Sequence, residues 1–179
     1  MKRLLFAVAL AVSALVLGSC DRDESSEIVG SYTYKTSGTV TVHIRELAEP
    51  DPENPDAKRI DTVVKVGLNP EQGQMHIVST GEDGAVKVTF NDIAGNVDVA
   101  DARISGNSLS ISGTPSKEVQ FTVDKIIGIA SGIVTYTGSG TKYDRTLITD
   151  LKYEGGISND KYEITIVDSE VHCVAQSND

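Results

Sequence analysis

Few side chains in this 179-residue chain could do chemistry. Cys20 and Cys173 offer thiols, which serve as nucleophiles, disulfide partners, metal ligands or attachment points. His43, His76 and His172 are the three imidazoles, and no pair of them has a short metal-ligand spacing. Histidines on the polar faces of separate strands explain them better than a metal centre does. Serines are plentiful, yet no Gly-x-Ser-x-Gly elbow occurs, so nucleophilic catalysis has no support. Carboxylate pairs such as Asp98 with Asp101, or Glu82 with Asp83, arise freely in an acidic chain and single out no acid–base site. A glycosidase would need two acids across a cleft and an aromatic sugar platform, and the chain has no tryptophan. Asp51, Glu53 and Asp56 lack the Asp-x-Asp-x-Asp-Gly framework of a calcium loop. These residues predict no catalytic site, no metal and no cofactor.

One feature hints instead at binding. Tyr32 and Tyr34 share a strand face with Gly30, and a glycine beside two tyrosines leaves space over which a flat group could pack. Core filling explains the pair as well, because tyrosine is favoured in strands. Cys173 alternates with Val171 and Ala175, which places its thiol on the inward face of a strand as a buried, inert group.

The beginning of the chain bears on location. Lys2 and Arg3, an apolar run through Leu17, and the small residues Gly18 and Ser19 form a secretory signal over residues 1–19. The apolar run is too short for the roughly 20 residues a spanning helix needs. Leu17-Gly18-Ser19-Cys20 resembles the bacterial lipobox, in which cleavage precedes the cysteine and its sulfur carries a diacylglycerol. Acyl chains bring about 0.8 kcal/mol per buried methylene, so two or three of them on Cys20 make a stable membrane anchor. Residues 20–27 then read as the lipidated cysteine and a polar tether. Asp21, Asp23 and Glu24 resemble the acidic signal of surface-exported lipoproteins in the Bacteroidetes. The expected location is the outer membrane at the cell surface, with its periplasmic face as the alternative.

Without Lys2 and Arg3, the 16 basic residues become 14 against 26 acidic ones, a formal charge of −12. Such a surface repels nucleic acid phosphates, which removes nucleic acid as a partner. With Cys20 committed to lipid, Cys173 has no thiol left to pair with, which excludes an internal disulfide framework.

From Ile28 onward the hydrophobic pattern has a period of two. Val40, Val42 and Ile44 lie on one face of Gly38-Thr39-Val40-Thr41-Val42-His43-Ile44-Arg45, with Thr41, His43 and Arg45 on the other. The same alternation returns in 60–66, 75–79, 86–90, 109–111, 119–123 and 162–166. Glu82-Asp83-Gly84, Ser105-Gly106-Asn107, Gly155-Gly156 and Ser158-Asn159-Asp160 read as turns between such runs. Segment 125–130 reads as a strand or bend with room for one helical turn. Pro50, Pro52 and Pro55 make residues 50–56 an exposed loop. The expectation is an all-β fold, an antiparallel meander of about 8 to 10 strands closing as a barrel or folding as a sandwich, in one domain over residues 28–176.

Together, the lipobox, the opening Ile28-Val29-Gly30-Ser31-Tyr32-Thr33-Tyr34, the stretch Val86-Lys87-Val88-Thr89-Phe90-Asn91-Asp92-Ile93 and the pair of strands about Ser105-Gly106-Asn107-Ser108-Leu109-Ser110-Ile111 resemble the calycin-like β-barrel lipoproteins of the Bacteroidetes. Lipocalins proper carry a Gly-x-Trp on the first strand and a late arginine packed on its indole. Here Gly30-Ser31-Tyr32 stands in that place, and no arginine follows Arg145. The resemblance implies a barrel and no general enzymatic activity. The expected function is a lipid-anchored envelope module that binds a small molecule, glycan or envelope protein without catalysis. The alternative is a structural accessory whose sheet edges pair with another protein. Asp61-Thr62-Val63 also matches a short O-glycosylation pattern of Bacteroides-type bacteria.

Overall fold

The computed structural model describes residues 27–47, 59–114, 118–123 and 126–179. The signal, Cys20, the acidic residues Asp21, Asp23 and Glu24, and loop 50–56 with Asp51, Glu53 and Asp56 lie outside the described residues. The described chain is all-β and forms ten strands: β1 (Gly30–Glu46), β2 (Asp61–Gly67), β3 (Gln72–Ser79), β4 (Ala85–Asp92), β5 (Val97–Ser105), β6 (Ser108–Gly113), β7 (Glu118–Val123), β8 (Ile126–Tyr143), β9 (Thr146–Ser158) and β10 (Tyr162–Ser177).

Eight of them close an antiparallel barrel in the order β1-β3-β4-β5-β6-β8-β9-β10, sealed by a β1–β10 ladder that runs from Tyr32 opposite Ser177 to Glu46 opposite Tyr162. This is the barrel rather than the sandwich. β2 and β7 stand outside the closed path, β2 against the second half of β1 and β7 against the first part of β8.

Long strands make this possible. β1, β8 and β10 have 17, 18 and 16 residues, beyond the usual 3 to 10. One half of each serves the barrel, and the other half continues past its end. β1 pairs with β3 as far as Lys35 and with β2 from Thr39 onward. Between these partners, Gly38 has φ +150°, and a Cβ there would come within 2.1 Å of the Glu170 carbonyl. Only glycine fits at that change of partner. The continuing strands make a six-stranded wall, β2-β1-β10-β9-β8-β7, that stands over one end of the barrel. Its inner face carries Val40, Val42, Ile44 and Ile164, buried together with the barrel core.

Period-two alternation places the core. Met75, Ile77, Val86, Val88, Ala100, Ile104, Leu109, Ile111, Leu147 and Leu151 point inward, and Val171, Cys173 and Ala175 follow the same rule on β10. The outer surface carries ion pairs such as Arg45–Glu163, Lys65–Glu170 and Lys87–Asp101. Such exposed pairs contribute little stability, about 0–1 kcal/mol each.

Two local expectations are corrected or sharpened. Gly155-Gly156 is not a turn and lies within β9, where a Cβ on Gly155 would meet the Ile133 carbonyl at 2.2 Å. Gly155 admits the close approach of β8, and Gly156 that of β10, where a Cβ would meet the Ile164 carbonyl at 2.7 Å. Segment 126–130 is extended and opens β8, with no helical turn.

Candidate functional site

The two ends of the barrel differ. At the end where the described chain starts, Ile28 and Tyr32 are fully buried as a plug, and the Tyr32 hydroxyl donates to the Ile28 carbonyl at 2.6 Å. Lys142 lies over the Tyr32 ring at 5.6 Å and donates to the Glu27 carbonyl. A shallow depression there is lined by Glu27, Ile28, Asn107, Lys142 and Asp144. Tyr32 is thus 1% exposed and satisfied within the core, with no face turned to a ligand.

At the opposite end β3, β4, β5 and β6 terminate while β1, β8, β9 and β10 run on. That step creates a mouth beneath the wall. Tyr34 on β1, Phe90 on β4, Tyr136 on β8 and Tyr153 on β9 all take inward positions here. Tyr34 meets Phe90 edge to face, with centroids 5.2 Å apart and planes at 78°. Tyr136 and Tyr153 tilt against each other at 5.5 Å. The Tyr136 ring crosses directly over Gly113, where a Cβ would come within 2.5 Å of the phenol. Its hydroxyl donates to Asp98 at 2.8 Å.

Three carboxylates belong to this mouth. Asp98 accepts from Tyr136. Asp92, at the end of β4, accepts from the Asn96 backbone and side-chain amides at 2.7 Å each. These bonds hold its carboxyl below the ordinary value, the Asn96 side chain contributing most. Glu71 is held at the rim by its backbone: the Thr36 amide donates to its carbonyl at 2.8 Å, and its own amide donates to the Thr36 hydroxyl at 3.1 Å. Partial desolvation, then the charges of Asp92 and Asp98, raise the Glu71 carboxyl above its usual range. Among the described residues, no lysine or arginine pairs with any of the three.

The phenols feel the same environment. Tyr34 is pushed up to about 12, first by burial and then by Glu71, Asp92, Cys173 and Asp98. Burial also raises Tyr136 and Tyr153 well above the ordinary phenol value, assisted at Tyr136 by its bond to Asp98. Tyr34 is 3% exposed, and its hydroxyl has no hydrogen-bond partner among the described residues. Cys173, beside Thr36 in the ladder, is buried, and its thiol is pushed up to about 12 by burial and then by Glu71. A thiol held neutral is a poor nucleophile. The mouth therefore sets aromatic rings beside a negative field.

The other residues with reactive side chains do not converge on it. His43 pairs with Asp61 at 2.5 Å, His172 with Asp150 at 2.6 Å, and His76 with the Ser31 hydroxyl at 3.0 Å. These lie on outward positions of β1, β10 and β3. No group of three or more His, Cys, Asp or Glu side chains among the described residues is placed to hold a metal ion. Thr62 is exposed on β2. Of the two tyrosines singled out from sequence, the structure brings only Tyr34 to the mouth. Sequence reasoning missed Glu71, Phe90, Asp98, Tyr136 and Tyr153. The available signal was the flanking pattern Lys152-Tyr153-Glu154, a large aromatic between two charges, which marks an inward position.

Fold and site together define a closed antiparallel β-barrel with a plugged end and an acidic, tyrosine-lined mouth. No family model matches the chain, and no match is found among the curated proteins or the solved structures.

Proposed function

We propose that this chain is a lipid-anchored binding module of the bacterial cell envelope, related to the calycin-like barrel lipoproteins, in which the barrel mouth receives a ligand and no bond is made or broken. The observation that carries this reading is the mouth itself, where the aromatic pairs Tyr34–Phe90 and Tyr136–Tyr153 stand with Asp92 and Asp98 at one end of a closed barrel. The raised thiol and phenols fit binding better than nucleophilic catalysis, because all of them are neutral near pH 7.

The placement of the anchor fits the same function. Glu27 enters at the plugged end, and six residues lie between it and Cys20, a span of at most about 25 Å of extended chain. A lipid on Cys20 sets the plugged end toward the membrane and turns the mouth away from it. Two experiments test this reading. Fatty-acid labelling should mark the native protein and be lost in Cys20→Ala. Protease shaving of intact cells should cleave the native protein and spare a variant with Asp21, Asp23 and Glu24 changed to alanine. Unlabelled native protein removes the anchor, and protection of both forms moves the module to the periplasmic face.

A second reading, as an assembly accessory, has its own observation. The β1–β10 ladder closes the barrel, yet among the described residues β2 and β7 each pair on one side only, which leaves two strand edges in the wall. Edges of this kind accept strands from partners. Cross-linking from Thr62 or Lys65 on β2 to an envelope protein in cells would favour it.

A further inference from the structure

Resting on the second reading, in which strand edges of the wall accept partners, we propose that the free edge of β2 pairs with β2 of a second copy of this chain, antiparallel and centred on Val63. The backbone supplies the first observation. β2 follows β1 without a break in register, the Glu46 amide donates to the Ile60 carbonyl at 2.8 Å, and the Leu68 amide donates to the Gly38 carbonyl at 3.0 Å. Alternate residues of an antiparallel strand turn their polar groups to the same neighbour. Thr62, Val64 and Val66 therefore spend their amides and carbonyls on β1. Those of Asp61, Val63 and Lys65 point to the edge, where no strand among the described residues takes them up.

Second, the edge is poorly guarded. Proteins blunt an exposed strand edge with proline, a bulge, an inward-pointing charge or a lysine. Asp61-Thr62-Val63-Val64-Lys65-Val66-Gly67 has no proline and a regular ladder, and β-branched residues dominate it. Its inward positions carry Thr62, Val64 and Val66, the two valines packed against the core. Val63, on the outward face, is 57% exposed. Lys65 is the one guard present.

Third, a single register matches this edge to itself and gives Lys65 a partner. Free groups meet free groups only when odd-numbered residues face odd-numbered ones. Centring the pair on Val63 sets Asp61 opposite Lys65 of the second copy, twice over by symmetry, with Val63 opposite Val63. On the inner face Thr62 then meets Val64, and Ile60 meets Val66. Centring on Asp61 or on Lys65 would oppose like charges, which is unfavourable, and centring on Thr62 or Val64 would leave both charges without an opposite. Within each copy Asp61 already accepts from His43, and Lys65 donates to Glu170. The pairing joins these contacts into one row across the two copies. Such a two-fold interface closes on itself, because each copy uses its β2 once. Antiparallel pairing also points the two plugged ends in opposite directions, which suits copies anchored on facing surfaces with their walls meeting between them.

The test is sedimentation velocity of the full chain in a non-ionic detergent over a range of protein concentrations. The native protein should form a concentration-dependent dimer. Val63→Pro removes an amide that faces the edge, so the β1–β2 ladder keeps its bonds. Loss of the two central bonds should weaken the dimer about tenfold or more, with circular dichroism unchanged. Asp61→Lys and Lys65→Asp should each weaken it by a similar factor alone. An equimolar mixture of those two variants should recover the dimer, because opposite charges again meet across the edge. Dimers indifferent to Val63→Pro, assemblies larger than a dimer, or a mixture that pairs no better than its components overturn the proposal. A native protein that stays monomeric overturns it as well, and cross-linking from Lys65 in cells then separates the two readings. Capture of a different envelope protein leaves the accessory role standing, and no capture removes that role from β2 too.

Discussion

Tyr136 on β8 donates its hydroxyl to Asp98 on β5 at 2.8 Å, reaching over β6, the strand that separates them. The reach depends on Gly113, the last residue of β6, because any side chain there would occupy the place of the Tyr136 ring. One residue without a side chain thus allows an aromatic to lie across the mouth and hold a carboxylate inward. The bond ties two barrel strands that are not neighbours, and it fixes a negative charge where a binding site would use it.

Tyr136→Phe keeps the ring over Gly113 and removes the donor to Asp98. A hydrogen bond to a charged group is worth about 1.5–3 kcal/mol, and the part-buried position puts the expected loss near the lower end. Urea unfolding should show a lower midpoint with an unchanged slope. Gly113→Ala should destabilise in the same direction by displacing the ring itself, and unchanged midpoints in both variants would show that the Asp98 bond contributes nothing.

Alkaline conditions should unfold the barrel through its interior protons. Tyr34 and Cys173 are pushed up to about 12 in the folded chain, from ordinary values of 10.0 and 9.0. Between the ordinary and the raised values the unfolded chain has lost these protons and the folded one retains them. Stability is therefore fully present below about pH 9 and falls as pH rises toward about 12. In a Tyr143→Phe/Tyr162→Phe background, which removes the two tyrosines outside the buried set, near-ultraviolet tyrosinate absorbance should rise in step with loss of β-sheet circular dichroism, and Cys173 should resist thiol reagents at neutral pH until denaturant is added. Tyrosinate formation well ahead of unfolding would contradict the buried placement of the phenols.

Ser169 stitches a gap. The β9–β10 ladder breaks between Thr165 and Val171, and there the buried Ser169 hydroxyl accepts from the Tyr153 amide at 2.8 Å. Lys152 donates to the Ser169 carbonyl at 2.5 Å. Ser169→Ala removes the acceptor and leaves the Tyr153 amide without a partner at the base of the mouth, a cost of about 1–3 kcal/mol. Hydrogen exchange of the Tyr153 amide should accelerate more than that of Leu147 or Leu151 on the same strand. Equal acceleration along β9 would mean that the gap is not a local weak point.

Much of the fold was legible because strand periodicity maps directly onto burial. Val40, Val42 and Ile44 are inward as their alternation requires, and so are Val171, Cys173 and Ala175. The mouth was harder to read. In Val97-Asp98-Val99-Ala100 the valines suggest the inward face, yet Val97 and Val99 are exposed and Asp98 turns inward. Register on β5 is decided by Ala100 and Ile104 further along, which outweigh two rim valines. Gly155-Gly156 misled for a related reason: glycine marks close backbone approach as readily as it marks a turn. The meeting of Glu71, Asp92 and Asp98 follows from the closed order of strands, which no local pattern encodes.

Glu71 gives the clearest sign of a site kept for use. Its carboxyl is raised by partial desolvation and by Asp92 and Asp98, so ionising it costs more in the folded chain than in the unfolded one. A raised carboxyl means that this residue detracts from stability at neutral pH and that its penalty fades as pH falls through the raised value. Glu71→Gln removes the repulsion while keeping the size of the side chain. With the rim open to solvent, the gain should be a few tenths of a kcal/mol, seen as a small rise in melting temperature at pH 7 that shrinks at pH 4. A fall in melting temperature at pH 7 would show instead that Glu71 supports the β2–β3 corner through its side chain as well as through its backbone bonds to Thr36.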